Sequence, residues 1–222
     1  MNRFNEPAAH SDAPSDPSAD PSADSPADAL AALRAATGSR HQALDSALPI
    51  GAPDASLNDY TRHLRMLQAW LAPLQTWLSG FGDGPRFDQA DRLALIDADL
   101  REAGMPAADG IPVARTDWPQ DASPAWRWGV SYVIEGSQLG GAVLYKRLAE
   151  RLAPHPLRYL KGGDAGPGAR WRAFMQGVRE QVRTPDEIRD ACAGACTAFD
   201  AILVLAPHTI AQADEATAKN SA

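Results

Sequence analysis

The chain has 222 residues, 45% of them hydrophobic, with 21 Lys and Arg against 28 Asp and Glu, a formal net charge of −7. That size and apolar share suit one substantial domain with a buried core. The acidic balance and the lack of a basic block argue against nucleic acid as a partner and against attraction to an anionic membrane.

Residues 6–28 consist almost entirely of Pro, Ser, Ala and Asp. Such a segment cannot offset its own ordering entropy, so 1–28 is read as a disordered acidic tail. It has neither the apolar segment nor the cleavage pattern of a secretion signal. No apolar run elsewhere comes near the ~20 residues that span a bilayer, and the expectation is a soluble, cytoplasmic protein. The ordered domain is expected over 29–215, with a second short tail over 216–222.

From residue 29 the patterning is helical. Leu30, Leu33, Thr37, His41, Leu44 and Leu48 recur at three- and four-residue steps until Pro49. Ser56 and Asp59 form a capping box for a second helix carrying Tyr60, Leu64, Leu67 and Leu71 inward. A third helix is expected from Asp88 to Ala103, then a Gly- and Pro-rich loop over 104–122. Ser123-Pro124 opens a long helix towards Leu152. Another is expected from Gly168 to Val182, and the last begins at Thr184-Pro185 with Glu187 completing a capping box. Period-two alternation is absent, so the fold class is all-α, a single-domain helical bundle.

Two features carry chemistry. Arg34, Thr37, His41 and Asp45 are spaced to share one helix face. An imidazole in the apolar stripe with a carboxylate one turn on suits an iron ligand: Asp45 accepts from one ring nitrogen and leaves the other free to coordinate. Arg34 is placed to meet a negative group at the edge of a flat ligand. The plainer reading is a buried histidine that Asp45 satisfies. The second feature is Tyr132 to Gly141, YVIEGSQLGG, where Gly136, Gly140 and Gly141 fall inside the long helix. Each costs about 0.5–1 kcal/mol relative to alanine. Either a ligand approaches that backbone closely or two helices pack there, and the spacing alone does not choose. A flat macrocycle between the two helices explains both features.

Those segments resemble the heme oxygenase family, its bacterial branch more than its mammalian one. The resemblance covers residues 29 to about 210 and implies heme sandwiched between a proximal and a distal helix. It implies His41 as iron ligand, with Thr37 and Asp45 around it. Gly136, Gly140 and Gly141 then contact heme, and Phe199, in Thr197-Ala198-Phe199, packs against it. Ser137 stands where mammalian members carry an aspartate that organises distal water, and a hydroxyl with ordered waters can serve proton delivery. Tyr132 is a further pocket-lining candidate. The mammalian pair that binds the heme propionates does not align cleanly, falling near Trp171 and Met175, with Lys161, Arg170, Arg172 or Arg179 as shifted substitutes.

The resemblance implies heme as substrate and cofactor, cleaved by O2 and reducing equivalents to biliverdin, CO and Fe(II). Implied partners are an electron donor (ferredoxin, reductase or ascorbate-like) and a bacteriophytochrome that takes up biliverdin, the other use of the reaction being iron acquisition. The alternatives are a non-catalytic heme carrier or sensor on the same fold, or a member of the wider helical superfamily that works without heme. Among rival groups, His63 is read as a core-edge histidine with no acid at i+4, and His155 and His208 as loop or helix-end residues. Cys192 and Cys196 are read as buried small side chains rather than a metal site, and the tryptophans as packing.

Overall fold

Several of the helices begin where a side chain can satisfy the free N–H groups of the first turn. In the computed structural model, which describes residues 28–82, 90–104, 117–162 and 166–210, α1 (Ala29–Ala47) starts at Asp28, whose carboxylate accepts from Leu30 N at 3.0 Å. A 3-10 turn at Pro49–Gly51 follows, and then α2 (Leu57–Ser79) with the expected Ser56/Asp59 capping box. Next comes α3 (Ala90–Glu102), whose expected first residues lie outside the described ones. Ser123 caps α4 (Pro124–Leu148) and also donates to Asp190 at 2.8 Å, fixing the start of α4 to α7. The single turn α5 (Arg158–Lys161), then α6 (Gly166–Gln181) and α7 (Pro185–Ile210), complete the chain order. Among the described residues there is no strand, and the all-α expectation is borne out.

α4 and α7 form the central pair, with α1 and α2 against α7, α6 against α4, and α3 beside α2. Two glycines set how close the central pair comes. A Cβ on Gly129 would stand 1.8 Å from the Ala191 carbonyl oxygen, and one on Gly194 would stand 2.1 Å from that of Trp126. The seam therefore admits no side chain at either place. Trp77, Trp118 and Trp126 cluster at one end, with ring centroids 5.5–6.0 Å apart, so the packing role expected of the tryptophans holds there.

Several boundaries differ from the sequence reading. α4 stops at Leu148 rather than running on to Leu152, and Pro154 and Pro156 beyond it lack the N–H groups a helix needs. The turn α5 was not anticipated. It is held by tertiary contacts: buried Asp99 of α3 accepts from Tyr159 N at 2.9 Å and from the Tyr60 hydroxyl at 2.6 Å. His155 is buried in the same knot, its Nε2 3.1 Å from the Asp99 carbonyl oxygen. Most of the 104–122 loop, residues 1–27 and residues 211–222 lie outside the described residues, while Asp28, the last residue of the expected first tail, is the N-cap of α1. One 25-residue stretch of α7, Pro185–Thr209, is apolar and long enough to cross a bilayer by length and composition, contrary to the expectation of no such run. Half of its most apolar window is buried against the rest of the protein, so that apolarity serves the core.

Candidate functional site

α1, α2, α4 and α7 enclose a cavity of about 630 Å³, within the roughly 300–1,000 Å³ typical of ligand sites. α1 contributes Thr37, His41, Leu44 and Asp45, and α4 contributes Tyr132, Gly136, Ser137, Gly140, Gly141 and Arg147. α7 adds Phe199 and Ile202, α2 adds His63, Met66, Leu67 and Trp70, and Trp171 and Tyr159 close the wall.

His41 departs from the sequence reading in one respect. It is not buried in the apolar stripe: its side chain is 65% exposed. Only Ala29, Leu30, Leu33 and Thr37 of α1 are buried, so beyond Thr37 the helix borders the cavity instead of the core. A core histidine satisfied by Asp45 is thereby excluded. The pairing itself is present, with His41 Nδ1 2.9 Å from Asp45 Oδ2. That geometry leaves Nε2 free. Phe199 stands edge-on to the imidazole, 6.0 Å between ring centroids. Arg40 beside it makes two hydrogen bonds to Asp200, at 2.7 and 3.1 Å, joining α1 to α7.

The glycines of α4 divide as well. A Cβ on Gly140 would meet nothing within 4 Å, and one on Gly136 only the far edge of the Trp171 ring at 3.8 Å. Helix packing does not require glycine at either, and both line the cavity. Gly141 does pack, its Cβ position 3.6 Å from Leu160.

Ser137 donates to the Ile134 carbonyl at 2.7 Å, and Gln138 donates to the Tyr159 hydroxyl at 2.8 Å. Burial pushes the Tyr159 phenol up, opposed by the Arg92 charge, by the nearby Ser137 hydroxyl and by the Gln138 hydrogen bond. Tyr132 is also pushed up by burial, against the nearby Arg34 charge and the Thr37 hydroxyl. Arg34 itself is exposed and is not among the lining residues, though its charge lies near Tyr132 on the wall. The cation on the cavity wall is Arg147, which donates to the Gly51 carbonyl at 2.8 Å. It lies seven residues after Gly140, two turns along the same face, and that spacing would have found it. Tyr159 left no such signal, because the turn presenting it is set by Asp99 of α3.

Glu135, immediately before Gly136, is buried and pairs with Arg92 at 2.6 Å and with Arg170 at 2.9 Å. This commits Arg170 to α4, while Trp171 stacks with Phe174 and lies 5.6 Å from the Tyr132 ring. Cys192 and Cys196 are free and half-buried rather than buried. No group of three metal-binding side chains occurs among the described residues.

The fold and site together define an all-helical protein with a free imidazole and a glycine-lined helix facing one cavity. The heme oxygenase family model matches residues 27–205. A heme oxygenase of Xanthomonas campestris pv. campestris is 36% identical over 141 residues, 62% of this chain and 80% of that protein. Heme oxygenase PigA of Pseudomonas aeruginosa is 29% identical over 190 residues, 81% of this chain and 91% of its own. The NO- and CO-bound heme oxygenase from Neisseria meningitidis shares the fold, with a TM-score of 0.62 at 24% identity over 82% of this chain and 92% of its own. The chain belongs to the heme oxygenase family.

Proposed function

We propose that the cavity binds heme through His41 Nε2 and that the protein cleaves it oxidatively to biliverdin, CO and Fe(II). Family membership makes the chain a heme-degrading enzyme and does not favour the non-catalytic carrier or sensor. The observation that carries the site assignment is the free Nε2 of an Asp45-oriented imidazole on the wall of a cavity whose other helix offers Gly136 and Gly140.

The residues fit such a group. The walls are largely apolar, His41 supplies one neutral ligand, and the glycines leave room for a plane and a small gas. When bound, heme supplies the redox-active iron and the ring that is oxidised. Asp45 holds the imidazole in the Nδ1–H tautomer and raises the basicity of Nε2. Gly136 and Gly140 form the distal wall and Phe199 a face of the pocket. Ser137 and Tyr159 provide hydroxyl groups that can order water and pass protons, and the Gln138 amide holds the Tyr159 hydroxyl in place. Arg147 is the cation for a carboxylate edge. The proposed partners are O2, an electron donor of ferredoxin, reductase or ascorbate-like type, and a bacteriophytochrome acceptor, in the cytoplasm.

Aerobic addition of ascorbate or a reductase to the hemin complex tests this: the Soret band decays while CO and biliverdin appear. A Soret band that persists in air without CO would sink the enzyme reading. His41→Ala should lose the histidine-ligated spectrum and turnover, and an unchanged spectrum would remove His41 as ligand.

A further inference from the structure

His63 is a polar group of the cavity wall to which the roles above give no task. It lies on α2 beside Met66, Leu67 and Trp70, all lining the same space. Its Nδ1 is closed off from solvent and has no hydrogen-bond partner. Nε2 is not among the enclosed unpaired atoms, so on this cavity-lining residue it is the nitrogen left accessible. Burial lowers its pKa to about 4, so the ring is neutral at neutral pH.

A neutral imidazole has one N–H and one lone pair. Buried polar groups in folded proteins are nearly always paired, and stranding one costs stability. An N–H is the rarer group to leave orphaned, which assigns the bare lone pair to enclosed Nδ1 and the proton to Nε2. With Nδ1 enclosed, Nε2–H is the group of this ring that an occupant of the cavity can reach.

We propose that His63 donates a hydrogen bond from Nε2–H to an oxygen of the group held in the cavity. This rests on the heme reading above and adds a contact from α2, distinct from the His41 ligand. The acceptor oxygen has two sources: a porphyrin carboxylate, or a water-sized ligand on the open side opposite His41.

Nitrogen-15 NMR of histidine-labelled protein, full chain, distinguishes them. In unloaded protein His63 should be the neutral Nε2–H tautomer. Gallium protoporphyrin, which is diamagnetic and carries both carboxylates and axial positions, should shift that nitrogen and slow its proton exchange. The same change with metal-free protoporphyrin assigns the carboxylate, and a change with the gallium compound alone assigns the small ligand. No change with either overturns the proposal. His63→Leu should weaken gallium protoporphyrin binding about three- to tenfold, the range for one neutral hydrogen bond, while raising the melting temperature of unloaded protein. His63→Gln, which keeps a donor, should recover most of that affinity. Unaltered affinity in His63→Leu overturns the proposal while the heme reading stands, whereas wild type that takes up neither hemin nor the gallium compound overturns both.

Discussion

The helix α4 uses glycine for opposite purposes in its two halves. In the first half Gly129 lies so near the α7 backbone that a methyl group would overlap the Ala191 carbonyl. In the second half Gly136 and Gly140 have space around them, and that space belongs to the cavity. The same residue type therefore marks both a tight helix seam and an open cavity wall. The lesson is that a glycine's function is decided by what faces it, which helical spacing alone does not report. Between the halves sits Glu135, clamped by Arg92 and Arg170, which fixes the rotation of α4 where packing gives way to cavity.

The strongest way to break this division is to remove the clamp. Glu135→Ala removes the buried carboxylate that Arg92 and Arg170 share and should cost about 3–5 kcal/mol, measured by urea or thermal unfolding. A loss below about 1 kcal/mol would mean that the clamp does not hold the helix. Gly129→Ala should come next, at about 3 kcal/mol, because two backbones rather than a flexible side chain must move. Gly140→Ala should behave in the opposite sense. Unloaded protein should gain about 0.5–1 kcal/mol from better helix propensity, while hemin affinity falls roughly tenfold, about 1.4 kcal/mol. If Gly140→Ala destabilises the unloaded protein like Gly129→Ala, the contrast between the halves is wrong. The smallest effect is expected at the rim: Arg40→Ala removes a half-exposed pair with Asp200 and should cost under about 1 kcal/mol, less at high salt.

Much of the site was legible in the sequence because helix geometry is local. The four-residue step from His41 to Asp45 delivers their hydrogen bond without help from the rest of the fold. Gly136, Ser137 and Gly140 likewise fall on the cavity wall by their spacing along one helix. Arg34 obeyed the same spacing and yet missed the wall, because a shared face runs the length of α1 whereas the cavity meets only its second half. Tyr159 and His63 depend on where other helices lie. Tyr159 is presented by a turn that Asp99 anchors, and His63 is distinguished from a core histidine by its unpaired Nδ1 and its place on the cavity wall.

The sequence by itself determined the all-α class, most helix starts through their caps, and the proximal and distal segments, since each depends on residues within about two turns. Tertiary structure decided that His41 is exposed to a cavity, that Gly129 and Gly194 close the seam while Gly136 and Gly140 keep the site open, and that Arg147 rather than Arg34 lines it. Those outcomes depend on distances between helices far apart in the chain, and side-chain periodicity within one helix does not encode them.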